Sequence, residues 1–308
     1  MTRPFRLRRS ELSTPGSSPK MMAKAAESAA DLVFLDLEDA VAPTEKVSAR
    51  AHVVEALTSL DWGRKTRAVR INGVDTIWGV EDLIEVVTGA GHALDVVIVP
   101  KVKRPRDVWF VDTLLTYYET KLGLPVGGIG LELLIEESEA LSGVERIAEC
   151  CPRIEALILG VGDLSASQGM RLEQIGATGN YPGDLWHYAR NRVFSAARAN
   201  GLVPIDGPYA DYRDDAGYRR EAGFGAVLGA VGKWAIHPAQ IPLANETYSP
   251  TATELGRARE IVAAFEAATA SGSGAAAAGG VMIDAASVRI CQTVLTLQKE
   301  IDARGEST

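Results

Sequence analysis

A chain of 308 residues that is 46% hydrophobic and 23% charged can bury a large core, and single α/β barrels commonly reach this size. Its net charge of −8 argues against nucleic acid or anionic lipid as the principal partner, because either favours a concentrated basic surface. Three cysteines (Cys150 and Cys151 adjacent, Cys291 remote) give no disulfide framework, the basic N-terminus lacks an apolar export segment, and no run of about 18 apolar residues occurs; a cytoplasmic protein that does not span a membrane is expected.

Taken in chain order, short runs rich in Val, Ile and Leu predict strands at Leu12 to Thr14, Leu32 to Leu37, Arg67 to Ile71, Val96 to Pro100, Ile129 to Ile135, Ala156 to Gly160, Leu202 to Ile205 and Ala226 to Ile236. Segments of helical period lie between them, among them Glu45 to Leu60, Val80 to Ala90, Asp107 to Lys121 and Asp184 to Ala199. Strands apolar on nearly every residue and alternating with helices predict a parallel sheet buried on both faces. Their number favours closure into a (β/α)8 TIM barrel over residues 1–250. In residues 251–308, Thr251 and Glu254 form a capping box ahead of Leu255, Ala258, Val262 and Phe265 at helical spacing. Ser271 to Gly280 (SGSGAAAAGG) reads as a flexible linker, and Ile290, Val294, Leu297 and Ile301 mark one face of a last helix. The expectation is a barrel, a hinge and a helical lid module.

Active sites of such barrels lie at the C-terminal ends of the strands. The polar residues there are Glu38 and Asp39, Arg70 and Asn72, Lys101, Glu136, Asp163, Asp206 and His237. Glu136 and Asp163, on different strand ends, could hold one hard cation through oxygen while leaving positions for water and substrate, as Mg²⁺ prefers. Taken singly, each reads equally well as a salt-bridge partner or helix cap. The four histidines show no HxH or HExxH spacing and there is no CxxC pair, which disfavours zinc. Arg70 could bind a carboxylate or an oxyanion, or form an ion pair with Glu38 or Asp39; Lys101 leans to a structural role. Glu38 and Asp39 could order metal-bound water or Arg70 from behind, or belong to a solvated loop. Asp206 reads as a turn residue and His237 as a packed histidine. Asp284 is by default the cap of the last helix, yet on a mobile module it could close over a barrel mouth as general acid or base. Phosphate loops, dinucleotide fingerprints and the GxSxG elbow are missing from the sequence. Metal, arginine and a mobile acid suit chemistry in which negative charge develops on an enolate oxygen.

The strings STPGSSPKMMAKAA, VFLDLEDAVAP, VRIN, VPKV, LLIEE, LGVGDLSASQGM, VPIDGP, GKWAIHPAQI and VMID, in this order between about Arg9 and Ile301, resemble the HpcH/HpaI aldolase and citrate lyase β-subunit family. Within it they look most like the malyl-CoA and β-methylmalyl-CoA lyases. The resemblance implies Mg²⁺, with Mn²⁺ as a substitute, on Glu136 and Asp163; Arg70 facing the enolate oxygen; and contacts to coenzyme A from Arg9, Lys20 and Lys24. It also implies Asp284 as an acid/base on a lid that reaches a neighbouring subunit, hence a homotrimer or homohexamer. The implied reaction is reversible cleavage of a 3-hydroxyacyl-CoA to glyoxylate and acetyl- or propionyl-CoA. This sequence departs from that pattern at Ser13 or Thr14 and at Ser18, where those lyases carry an aromatic and a basic residue, and in a short segment Arg171 to Asp184. Alternatives are a malyl-CoA thioesterase using the same site and a non-catalytic, complex-bound subunit like citrate lyase β. An aldolase of free 2-oxo acids is disfavoured by the VMID lid string.

Overall fold

Largely buried segments of four to six residues, too short for a core helix, pair side by side in parallel, and the eighth returns to the first. The protein, seen in a computed structural model that describes residues 4–172, 181–272, 276–278, 281–303 and 305, divides into two compact units, 1–246 and 247–308. In the first, strands β1 (Ser10–Pro15), β2 (Leu32–Asp36), β3 (Thr66–Arg70), β4 (Val96–Val99), β5 (Gly130–Ile135), β6 (Ile154–Leu159), β7 (Val203–Asp206) and β8 (Gly232–Ala235) form a closed barrel. Closure is made by Ser10↔Lys233 through Leu12↔Ala235. The (β/α)8 expectation therefore holds.

Because side chains alternate across a strand, every second residue points into the barrel. The interior cluster contains Leu32 and Phe34 of β2, Ala68 of β3, Val96 and Ile98 of β4, Leu134 of β5, Ala156 and Ile158 of β6, Ile205 of β7 and Trp234 of β8. That parity fixes what happens at the strand ends. Two steps beyond Phe34, Ala68 and Leu134 come Asp36, Arg70 and Glu136, all inward. Asp206 and Lys233 fall on the opposite parity and point outward. There Asp206 accepts from Lys233 Nζ at 2.7 Å and from Arg190 Nε at 3.0 Å, in the helix His187–Ala199. Asp206 is thus a fully buried anchor for that helix rather than a turn residue.

At the opposite end of the barrel, Arg8 pairs with Glu132 at 2.6 Å and also with Glu155, while Trp234 Nε1 donates to Glu11 at 2.9 Å. Burial, with Glu132 nearby, pushes the Glu11 carboxyl well above its ordinary range. Arg9 belongs to this end as well. It is buried, with its guanidinium on Asp31 at 2.9 and 3.0 Å.

Two predicted elements need correction. The eighth strand is four residues long, not Ala226 to Ile236: Ala226 and Val227 finish the helix Asp215–Val227, and Gly229 at φ +102° turns the chain before the strand. A continuous apolar run looks the same to periodicity whether it ends a helix or fills a strand. In the second unit, the linker read at Ser271 to Gly280 lies outside the described residues at 273–275 and 279–280, and within it 276–278 form strand β9 (Ala276–Ala278) paired antiparallel with β10 (Val281–Ile283). Alanine carries no periodicity signal, so this pairing is invisible to composition. The helix Ala252–Ala270 opens on the Thr251–Glu254 capping box, with Glu254 N donating to Thr251 Oγ1 at 3.2 Å and Thr251 N to Glu254 Oε2 at 2.7 Å. It packs against the last helix, Ala285–Ala303. Among the described residues, no helix is long and apolar enough to cross a membrane.

Candidate active site

The inward parity of β2 delivers Asp36 beneath Arg70. Arg70 donates from Nε to Asp36 Oδ1 at 2.7 Å and from Nη2 to Asp36 Oδ2 at 2.6 Å, a bidentate fork. Its remaining arm, Nη1, forms an ion pair with Glu38 at 2.8 Å and lies 3.7 Å from Asp39. The guanidinium sits 5.4 Å from the centre of the Trp234 ring and 5.9 Å from that of Phe34. Burial alone would lower its pKa, but Asp36 and Glu38 outweigh it and the net direction is up, so Arg70 stays charged. Asp36 is itself fixed by accepting the backbone N–H groups of Glu38 at 2.9 Å and Ala40 at 3.1 Å. Of the two roles considered for Arg70, the structure shows the ion pair: Nε and Nη2 lie on Asp36 and Nη1 on Glu38.

Glu38 is held from below by Lys46, whose Nζ donates to the carbonyls of Leu37 at 3.0 Å and Glu38 at 2.9 Å and to Asn72 Oδ1 at 2.7 Å. Asp39, of opposite parity, is largely exposed. The two acids expected to act together thus have different surroundings.

Glu136 follows β5 directly and is 2% exposed, whereas Asp163 sits in the first turn of the helix Val161–Ser167 and is 42% exposed. Gly160, at the end of β6, makes the space: a Cβ there would lie 2.5 Å from Glu136 Cβ. Burial pushes the Glu136 carboxyl up to about 8, opposed by Lys101, and burial pushes Glu38 up to about 7, opposed by Arg70. Lys101 stands among all three acids, its Nζ 2.7 Å from Asp163, 3.5 Å from Glu38 and 3.7 Å from Glu136. Burial tends to lower its pKa, but Glu136, Asp163 and Glu38 together raise it, so the ammonium persists.

Of these groups, Arg70, Glu136 and Asp163 line a cavity of about 220 Å³, with Trp234 beside them and Ser13 on the β1 side. That space suits the reacting end of an acyl thioester and is too small for a whole coenzyme, since drug-sized ligands occupy roughly 300–1,000 Å³. No cluster of three or more His, Cys, Asp or Glu side chains able to ligate a metal occurs among the described residues. A cation here would rest on two carboxylates and take its other oxygens from water or ligand, which is how Mg²⁺ is usually held. The ammonium of Lys101 shows that the position attracts positive charge.

The remaining sequence candidates fall as follows. Arg9 lies at the N-terminal end of the barrel, buried on Asp31, which removes it from the coenzyme-contacting set. Lys20 and Lys24 lie exposed on the helix Pro19–Ala26 that leaves the C-terminal end of β1, and Ser18 caps that helix by accepting from Met21 N. His237 is exposed rather than packed inside, stacked on Tyr212 with ring centres 4.7 Å apart. Of the segment Arg171 to Asp184, residues 173–180 lie outside the described residues. Asp284 caps the last helix, its Oδ1 accepting from Ser287 N at 2.9 Å, and those hydrogen bonds to Ser287 hold its carboxyl below the usual range. Sequence reasoning missed Asp36, Lys46 and Gly160. The parity of VFLDLE, with Asp36 and Glu38 in step with Phe34, is the signal that finds the first.

Comparison with known proteins gives the family. A family model described as HpcH/HpaI aldolase/citrate lyase matches residues 9–238. The L-malyl-CoA/β-methylmalyl-CoA lyase of Cereibacter sphaeroides is 43% identical over 310 aligned positions, covering 97% of each chain. A (3S)-malyl-CoA thioesterase from the same species is 34% identical, again over 97% of each chain. Among solved structures, the CitE protein of Mycobacterium tuberculosis in complex with magnesium, acetoacetate and coenzyme A superposes with a TM-score of 0.77 at 29% identity, over 95% of this chain and 98% of that one. On the extent of the family match and on these identities, the chain belongs to the HpcH/HpaI aldolase/citrate lyase family.

Proposed function

We propose that the protein is a magnesium-dependent carbon–carbon lyase that cleaves a 3-hydroxyacyl-CoA, malyl-CoA or β-methylmalyl-CoA, reversibly to glyoxylate and acetyl- or propionyl-CoA. The observation that carries this is the pairing of Glu136 and Asp163 on one cation-attracting position in a small cavity that Arg70 also lines. Magnesium held by these two carboxylates supplies Lewis-acid polarisation of the hydroxyacyl oxygens. Arg70, immobilised through Asp36, keeps its Nη1 arm where negative charge develops on the thioester oxygen once the carbon–carbon bond breaks. Glu38 and Asp39 hold that arm from the loop side. Lys20 and Lys24 offer positive charge to the coenzyme phosphates, which must lie outside the cavity.

Asp284 is the acid/base of this reading, carried on the second unit and closing over a neighbouring subunit in a cytoplasmic trimer or hexamer. Its lowered pKa means that it is ionised at neutral pH, ready to remove a proton from acetyl-CoA in the synthetic direction. In cleavage it takes up the proton that the hydroxyl releases as the carbon–carbon bond breaks and returns it to the enolate carbon, and loss of its hydrogen bonds to Ser287 on closure would raise its pKa toward that task.

The test is product partition. Protein, Mg²⁺ and (S)-malyl-CoA should yield glyoxylate, trapped with phenylhydrazine, while free thiol stays at the blank; chelation by EDTA should stop release and added Mg²⁺ restore it. Thiol without glyoxylate would make the protein a thioesterase. Neither product from malyl- or β-methylmalyl-CoA would favour a non-catalytic subunit that binds acyl thioesters.

A further inference from the structure

Lys101 is the one charged side chain of this cluster to which the proposed reaction gives no part. Its backbone is also unusual: φ is +52°, and it is the single non-glycine residue with positive φ among the described residues. A residue with a Cβ rarely adopts that conformation, and glycine would do so with less strain. The turned backbone aims the Lys101 N–H at Glu136 Oε1, 2.8 Å away. Glycine would keep that hydrogen bond, so what only the side chain supplies is the ammonium. The ammonium lies within 3.7 Å of three carboxylates, at 2.7 Å from Asp163. Glu136 is almost wholly buried and Glu38 nearly so, and a set of carboxylates at that depth without a cation is unfavourable.

We propose that the Lys101 ammonium is the resident cation of the metal seat, holding Glu136 and Asp163 in place while the seat is empty and being displaced when Mg²⁺ binds. This rests on reading those two carboxylates as the magnesium ligands. An ammonium in hydrogen-bond contact with Asp163 and a divalent ion on the same oxygens repel each other and compete for one space. The side chain can yield, because it is 23% exposed on a flexible four-carbon stem and Glu38 is the carboxylate next to it at 3.5 Å. Metal affinity is therefore set partly by the work of moving Lys101, and the empty site keeps its shape.

The experiment is calorimetric titration of EDTA-stripped full-length protein with MgCl₂, together with thermal melts with and without Mg²⁺, for wild type, K101M, K101Q, K101R and E136Q. K101M should bind Mg²⁺ about tenfold more tightly than wild type, by relief of like-charge repulsion. Its metal-free melting temperature should fall, and its Mg²⁺-induced rise should exceed that of wild type. K101Q should move the same way and stands in for K101M should the latter misfold; K101R, which keeps the charge, should stay near wild type. A merely structural Lys101 gives the opposite sign, weaker binding in step with lost stability. Unchanged or weaker binding in both neutral variants, with wild-type binding abolished by E136Q, would overturn this inference alone. Wild-type binding that survives in E136Q would place the metal elsewhere and overturn the seat and the inference together.

Discussion

Arg70→Lys is expected to lower the turnover of malyl-CoA cleavage by about 100- to 1,000-fold, the loss typical of removing one preorganised donor to an oxyanion. The reason is geometric. Arg70 has two N–H groups on Asp36 at 2.7 and 2.6 Å and a third arm, paired with Glu38 at 2.8 Å, at the wall of the cavity. A lysine ammonium is a single point that Asp36, wholly buried, will capture, leaving nothing to reach the substrate. Because the buried cation is retained, the barrel should remain folded, with a loss of roughly 1–3 kcal/mol from the broken fork. Asp36→Asn is the companion case. It keeps Arg70 but loosens its anchor, so turnover should fall less than in Arg70→Lys. Steady-state rates with melting curves on the same preparations check both, and an Arg70→Lys enzyme of near-normal turnover would remove Arg70 from the chemistry.

Glu136→Gln should lower turnover by about a thousandfold or more, since several kcal/mol of charge stabilisation depend on the ion it helps to hold. Yet the metal-free variant should melt at or above the temperature of wild type. Burial raises the Glu136 pKa to about 8, which means the fold disfavours its charge. A neutral amide of the same shape occupies the position beside Gly160 without that cost and can still accept the Lys101 N–H. A residue that destabilises its own fold while being needed for activity is the signature of a functional group. A variant that loses stability and activity in proportion would instead mark Glu136 as a structural residue.

The residues of the site were legible in the sequence to the extent that they obey two rules. Polar residues that end apolar strands collect at one mouth, which gathers Arg70, Lys101, Glu136 and Asp163 without any contact information. Strand parity then separates inward from outward, which places Asp36 and Glu38 inside and Asp206 on the helix side. Asp36 escapes the first rule because it closes a strand that reads as uniformly apolar. The same strand-end rule excludes Arg9, which precedes β1 instead of ending it. Other features follow no local rule. Lys46 reaches the Glu38 loop from the helix Lys46–Ser59, and Gly160 matters only because Glu136 comes so close to it. The position of the Lys101 ammonium depends on a positive φ at a lysine, which its residue type argues against. In the second unit, β9 is built on alanine, whose backbone pairing carries no hydrophobic pattern.

Diffraction from crystals grown with Mn²⁺ and glyoxylate, recorded at the manganese absorption edge, tests the central claim most directly. The account predicts one anomalous peak ligated by Glu136 and Asp163, glyoxylate on the ion within reach of Arg70, and the Lys101 ammonium moved away from Asp163. Manganese bound elsewhere, or glyoxylate in the cavity with Lys101 still on Asp163 and no metal, would contradict it.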